Sequence, residues 1–481
     1  MLVAVAALAS VLALVYAYRV QRWLILPSSD DYARLTLSRE WGRTHFVSHA
    51  STYWLPLPII ANGIASGYAG SFDPWRQTIP AALAMLAAVL MLAWPHRHRP
   101  DLFNPVAAAA FLSYPIYFEI TPSQLSEPFF AAGILLAARA AFRFDAALSR
   151  LNALLLLVAL NPMLWVRYEA WQLAGCVWLW AWGTYTWRGR KARARRWRPH
   201  VLFFLGGVQL SLFPLYWMYL SHTRNGNYLA FLTGLTFSNT EGPPLTRLRW
   251  FLEWGFLESP TASVLGLAGL AVAAWRRDWK PLALLAALAF PFVMTIVRDD
   301  IGTVYHRRFA MGLHLGLAML AGLAWWASAG AAGLRRRLFR WYIPSAAAAG
   351  LALSVVLSTA LARPNGIMRM RLVAEEGREL MGGNGRALMV FTPWHGAVHD
   401  DAAAFYASFV RVGVLHENML LDPPPVKAWF LHRWNFRAIF YRKWTDLSRV
   451  DAPLGEEVRL DLGWFYRPIL PRGEEAAPRD E

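Results

Sequence analysis

The chain has 481 residues, of which 56% are hydrophobic and only 16% charged, against about 25% charged in an ordinary soluble domain. A soluble core of that size would split into two or three domains, so this balance fits a chain that meets lipid along much of its length and excludes disorder, collagen and a disulfide scaffold. The one cysteine, Cys176, cannot form an internal bridge and says nothing of redox compartment.

Hydrophobic stretches long enough to cross about 30 Å of hydrocarbon fall at 2–18, 77–94, 103–120, 127–142, 151–166, 169–187, 201–220, 260–276, 281–297, 309–329 and 341–361. The expected fold is therefore a polytopic α-helical membrane protein with about eleven transmembrane helices. The net charge of +17 suggests nucleic acid at first, but its distribution argues otherwise. With the N-terminus in the cytoplasm, the even-numbered connections collect nineteen Lys and Arg against three acids, Asp101, Asp145 and Asp278, and the rest of the chain is close to neutral. The basic excess is then a topology signal, the run RGRKARARRWR is a cytoplasmic anchor, and no nucleic-acid partner is needed. The first segment lacks a basic start and a small-x-small site before Tyr18, so it reads as a retained helix, with the C-terminus outside.

The first outer loop covers about 19–76 and opens PSSDDYARLTLSREW. Ser28 and Ser29 offer N-cap hydroxyls and the acids suit a first helical turn, which predicts a short helix from about Asp31 to Trp41. WLPLPIIANGIASGY comes next, too short and proline-broken to span, and reads as a re-entrant or interfacial piece. Later outer loops are polar: TPSQLSE, WVRYE, VRDDIGTVYHRR, and a longer one at 221–259 with the amphipathic stretch LTRLRWFLEWGFLE. After residue 362 the chain turns soluble in character. GRALMVFTP reads as a strand, DAAAFYASFVRVG as a helix, FRAIFYRKW as a strand and EVRLDLGWFYRPIL as one or two strands, giving a small C-terminal α/β domain over 363–481 outside a transmembrane domain over 1–362.

The spans hold almost no ionisable residue at mid-depth; His314, two turns into its span, comes nearest. Ion-coupled transporters keep charges there, so the chemistry belongs to the outer loops at the membrane–water boundary. Asp30 and Asp31 point about 100° apart on a helix, so one would act as general base and the other as cap or ligand, or both would simply cap. Arg298, His306, Arg307 and Arg308, with Tyr305, run against the positive-inside bias, and guanidinium forks fit phosphate oxygens; the plainer alternative is pairing with Asp299 and Asp300. Arg167 and Glu169 would hold a phosphate or sugar hydroxyl, or form an ion pair across a hairpin. Glu127 sits in a Ser-Glu-Pro helix start, and Tyr53 and Trp54 are sugar-stacking or belt aromatics. His395, His399, Asp400 and Asp401 match no strong metal spacing. No Walker loop, GxSxG elbow or HExxH occurs.

SSDDYARL, WLPLP, SYPIYFEITPSQLSEPFF, RYEAW and YHRRFAMGLHLGLAML occur in an order that resembles the GT-C superfamily of integral-membrane glycosyltransferases, and the chain looks like bacterial relatives of the protein O-mannosyltransferases and the lipid A aminoarabinose transferases. The resemblance covers about 1–362 and lacks the WWD-type oligosaccharyltransferase motif. It implies a polyprenyl-phosphate-linked sugar as donor, a glycan, lipid or protein acceptor, and a place in a bacterial inner membrane. It assigns the base to Asp30 or Asp31 and the donor phosphate to Arg307 and Arg308, with Arg167, His306 and Arg298 behind them. Sugar or acceptor contacts go to Glu127, Glu169, Trp54, Tyr53 and Tyr305. A divalent cation is possible but has no evident ligand set. The rival expectations are a glycan ligase or polymerase using an undecaprenyl-diphosphate carrier, and a non-enzymatic transporter of lipid-linked sugars.

Overall fold

The computed structural model describes residues 34, 37–38, 41–42, 55–66, 74–121, 125–191, 198–228, 244–297, 304–329, 334–360, 373, 376–377, 379–382, 386–391, 412–416, 426–427, 436–442, 447, 450–460 and 464–470. The chain forms two compact units, one built mainly on 78–362 and one on 363–481.

The helices of the first unit are α1 (Pro56–Ser66), α2 (Pro74–Ala93), α3 (Pro105–Leu112), α4 (Ile116–Ile120), α5 (Glu127–Ala146), α6 (Arg150–Leu164), α7 (Glu169–Lys191), α8 (Arg198–Asn225), α9 (Pro244–Leu252), α10 (Pro260–Trp275), α11 (Trp279–Val297), α12 (Met311–Ala329) and α13 (Leu334–Ala360). A π-turn, Glu253–Leu257, succeeds α9, and a 3-10 turn, Val304–Ala310, precedes α12. Their starts follow from local chemistry. Asn104, Ser149 and Ser259 each accept a hydrogen bond from a backbone N–H of the first turn, and Pro105 and Pro260 open their helices where no N–H is needed. The expected span at 103–120 breaks into α3 and α4 around Ser113–Pro115. The proline-broken piece after the first loop is the short apolar helix α1.

By length and composition, two helices among the described residues can each cross a membrane, His200–Thr223 and Arg307–Ser328. A third arises if Thr246–Leu257 and Pro260–Trp275, bent by 88°, count as one span, and several other apolar helices are shorter. The expected total of eleven therefore does not emerge from the described helices, because many of the apolar runs are cut short by breaks or end charges. The stretch 2–18 lies outside the described residues.

The two long spans occupy opposite settings. The Arg307–Ser328 window is 83% buried and that of His200–Thr223 only 22%. α12 is therefore the central rod of the bundle, whereas α8 turns Phe204, Leu205, Leu212, Leu215 and Tyr219 outward, as a lipid-facing helix does. On that outward surface Asn161 and Gln209 exchange two hydrogen bonds, of 2.9 and 2.7 Å, so each amide satisfies the other. α10 lies against α12 so closely that a Cβ on Gly269 would fall 1.8 Å from the Leu320 carbonyl oxygen.

At one end of the bundle all three acids of the basic connections are paired. Arg99 reaches Asp101 at 2.9 Å and Asp278 at 2.8 Å. Asp145 takes Arg188 at 3.0 Å and also Lys280. Asp145 and Arg188 close α5 and α7, whose first residues, Glu127 and Glu169, lie at the other end.

The second unit holds a five-stranded sheet of β1 (Arg386–Phe391), β2 (Val412–His416), β4 (Phe436–Arg442), β6 (Val458–Arg459) and β7 (Trp464–Pro468), in the order β2-β1-β4-β7-β6. β1 runs parallel to β2 and β4, with Met389 beside Val414 and Phe440; β7 is antiparallel to β4 and β6. β3 (Val426–Lys427) and β5 (Val450–Asp451) make a separate parallel pair. The core on this sheet gathers Phe436, Ile439, Tyr441, Val450, Phe465 and Ile469. The expected helix over 401–413 overlaps the start of β2, while 401–411 lies outside the described residues.

Gly269→Ala should lower stability by about 1–3 kcal/mol, since the methyl meets backbone that cannot swing away; unfolding of the purified protein in detergent measures it, and an unchanged transition would contradict this helix contact. His96, in the connection between α2 and α3, supplies a pH prediction. Burial, then the Arg139 charge, lowers its pKa from 6.5 to about 4. The unfolded chain then binds more protons between these values, so the stability present above about pH 6.5 is lost as pH falls toward 4. His96→Gln should flatten that acid-side fall in a thermal-unfolding series against pH.

Candidate functional site

The chemistry-bearing residues of the first unit meet where α5, the α6–α7 hairpin and the start of α12 come together. Glu127 opens α5 behind Ser126 and ahead of Pro128. Such a start normally turns its acid to water, yet this side chain is fully buried. It forms ion pairs with two arginines from distant sequence: Arg167 of the hairpin, and Arg308 of the 3-10 turn, whose Nε lies 3.3 Å from Oε1. Arg167 also grips Glu169 in a fork, Nη2 donating to Oε1 at 2.7 Å and Nε to Oε2 at 3.2 Å. Burial alone would lower the Arg167 pKa, but Glu169 and Glu127 together hold it above its ordinary value, so the guanidinium stays charged.

The apolar neighbours orient these cations. The Arg167 guanidinium carbon lies 4.9 Å from the Phe309 ring centroid and 5.8 Å from that of Phe130; Arg308 faces the same Phe309 ring at 5.5 Å. Two like charges thus share one carboxylate and one aromatic face, which holds them close despite their repulsion. Arg167, Glu169 and Arg308 form the polar part of a small, partly open pocket. Its remaining wall is apolar, with Phe130, Ile134 and Leu173 on one side and Leu288, Pro291 and Met311 on the other. A cavity with cations at one end and hydrocarbon along its wall suits an amphiphile with an anionic head.

A second acid stands beside this group. Glu258, just after the π-turn, accepts from the Ile116 N–H at 3.1 Å and lies 3.6 Å from Arg307. Three arginines and three glutamates are therefore paired here, as the chain Glu169–Arg167–Glu127–Arg308 and the pair Arg307–Glu258. Among the described residues no group of three or more His, Cys, Asp or Glu is placed to hold a metal ion.

Of the residues singled out from the sequence, Glu127, Arg167, Glu169 and Arg308 come together, and Arg307, next to Arg308 in the chain, pairs with Glu258. The pairing of Arg167 with Glu169 across the hairpin is as direct as its spacing allows. His306 and Tyr305 belong to the 3-10 turn, and their side chains lie outside the described residues; so do Asp30, Asp31, Tyr53, Trp54 and Arg298. His395, His399, Asp400 and Asp401 are outside them as well. Glu258 and Phe309 escaped sequence reasoning. Glu258 had a legible signal, since LESPTA repeats the acid-beside-Ser-Pro helix start of LSEPFF.

No protein-family model matches the sequence, and no curated protein matches it. Solved structures do match, among them two of ArnT from Cupriavidus metallidurans. With the apo structure the chain shares 13% identity over 96% of its own length and 97% of the other, at a TM-score of 0.61. With the structure bound to undecaprenyl phosphate the values are 14%, 97%, 98% and 0.63. The chain thus has the fold of these ArnT structures over nearly its whole length.

Glu127→Gln should cost about 3–5 kcal/mol, because it removes the shared counter-charge of two buried cations. Glu127→Asp should cost less. Denaturant unfolding in detergent micelles tests both, and a loss under about 1 kcal/mol for Gln would show that the arginines do not depend on this carboxylate.

Proposed function

We propose that this chain, built on the ArnT fold, is a GT-C-type glycosyltransferase of a bacterial inner membrane, using a sugar linked to polyprenyl phosphate. One observation carries the reading: Arg167 and Arg308 converge on Glu127 at the charged end of an otherwise apolar pocket. The phosphate of the carrier would meet the guanidinium forks, and its first isoprene units would lie along Ile134, Leu173 and Leu288. The undecaprenyl phosphate held by the second ArnT structure is a ligand of that class.

The residue chemistry needs few parts. The acceptor hydroxyl oxygen forms a bond to the anomeric carbon while the bond from that carbon to the phosphate oxygen breaks. The hydroxyl proton passes to a carboxylate, assigned here to Asp30 or Asp31, and polyprenyl phosphate departs. Phosphate is a good leaving group, so no general acid is required, unlike in glycoside hydrolysis with its two carboxyl groups. The fixed cations take up the negative charge that grows on the departing phosphate. Glu127 and Glu169 keep those cations in place before the donor arrives. Attack in line with the leaving group inverts the anomeric centre.

Transfer from a labelled polyprenyl-phosphate sugar tests the assignment. Arg308→Gln should weaken donor binding about 10- to 100-fold, the worth of one charge-assisted contact, with equal donor affinity in the variant as the contrary result. Asp30→Asn or Asp31→Asn should abolish transfer while donor binding persists. Full turnover by both single variants and by the double variant would remove the base assignment, and a product of retained configuration would rule out the single in-line step.

A further inference from the structure

His314 lies in the first turn of the central helix α12, fully buried in an otherwise apolar segment. Both ring nitrogens are engaged. Nε2 is 2.7 Å from the Trp254 carbonyl oxygen and Nδ1 is 2.7 Å from the Tyr117 hydroxyl. A carbonyl only accepts, so Nε2 carries the proton, and in the neutral ring Nδ1 accepts from the tyrosine O–H. The Tyr114 ring stacks on the imidazole with centroids 3.7 Å apart and planes 15° from parallel. The histidine is thus held in one orientation by two separate stretches of chain, Tyr114–Tyr117 and the π-turn.

A second row of contacts runs beside the first. Ile116 N–H, Glu258 and Arg307 form one rung; Tyr117, His314 and Trp254 form the other. Ile116 adjoins Tyr117, Glu258 is one turn beyond Trp254, and Arg307 is two turns ahead of His314. The rungs therefore rest on adjacent supports: the start of α4, the π-turn and the residue after it, and α12 with the 3-10 turn leading into it. The π-turn is the unusual support. Its Glu258 N–H bonds back to the Glu253 carbonyl at 2.9 Å, five residues away, which inserts an extra residue and re-aims the side chains beyond it. Where Glu258 points depends on that turn, and His314 is bonded to a carbonyl inside it. A leucine would fill the space without the cost of burying an imidazole, so the polar rung supplies orientation rather than packing.

We propose that His314, with Tyr117 and Trp254, is a positioning residue for Arg307: it fixes the π-turn so that Glu258 holds that guanidinium at the donor-phosphate end of the bundle. This rests on the reading of the arginine cluster as a phosphate site.

The test is binding of undecaprenyl phosphate to the full chain in detergent micelles, by titration calorimetry. The set is the wild type, Tyr117→Phe, His314→Leu, His314→Gln, Arg307→Gln and the His314→Leu/Arg307→Gln double variant. His314→Leu should weaken binding about tenfold and Tyr117→Phe about fivefold, as expected for two and one hydrogen bonds. His314→Gln, whose amide can still donate to the Trp254 carbonyl, should recover most of the loss. In the Arg307→Gln background His314→Leu should add nothing, a non-additivity that mere loss of packing would not give. Equal weakening with and without Arg307, or no weakening, overturns the positioning role while the phosphate site stands. A wild type that does not bind the lipid overturns both. If His314→Leu does not fold, the same cycle run with Tyr117→Phe decides, since that variant keeps the ring and removes one hydroxyl.

Discussion

One end of the helical unit depends on one buried carboxylate. Glu127 is withdrawn from solvent and shared by Arg167 and Arg308, which come from segments 40 and 181 residues further along the chain. An isolated ion in such a place costs several kcal/mol, and two adjacent guanidinium groups would repel each other. The carboxylate resolves both problems at once and, in doing so, pins the hairpin between α6 and α7 to the start of α12. The pocket wall results from that pinning, because Phe130 and Phe309 are carried on the same two elements as Glu127 and Arg308 and close over the cations. The pocket and the element junction are therefore one object, and neither can be altered without the other.

The bundle is built asymmetrically to serve this end. At the opposite tips of α5 and α7, Asp145 and Arg188 pair, and Arg99 joins Asp278 to Asp101. Those pairs are partly exposed and tie neighbouring connections together. Arg99 is likewise stacked on a ring, that of Phe142; the site end differs in having a fully buried acid shared by two arginines that face one ring. The central helix reaches the second environment because the turn leading into it carries the arginines while its body is as apolar as any core segment.

Much of the architecture was legible in the sequence. Apolar runs located the helices within a few residues, since their ends carry Ser, Asn and Pro signals that act locally. β1, β4 and the final hairpin of β6 and β7 were visible as alternating or aromatic-rich runs. β2 was hidden, because VGVLH comes after the helix-patterned DAAAFYASF, and short strands in parallel sheets lack a period of their own. The site was legible as a cast but not as an arrangement. Arg167, Glu169 and Arg308 stand out as charges at the ends of apolar segments, whereas spacing could not tell that Glu127 turns inward to join them. His314 stood out only as the lone ionisable group near mid-span, and its link to a π-turn some sixty residues earlier has no signature in a one-dimensional pattern.

The reciprocal amides of Asn161 and Gln209 have a consequence of their own. Carboxamides facing acyl chains would ordinarily act as adhesive for any passing helix, since each offers two donors and a carbonyl to whatever approaches. Folded upon one another, they present hydrocarbon with little left to grasp. The flank formed by α6 and α8 therefore carries two amides yet offers a neighbouring helix few free polar groups.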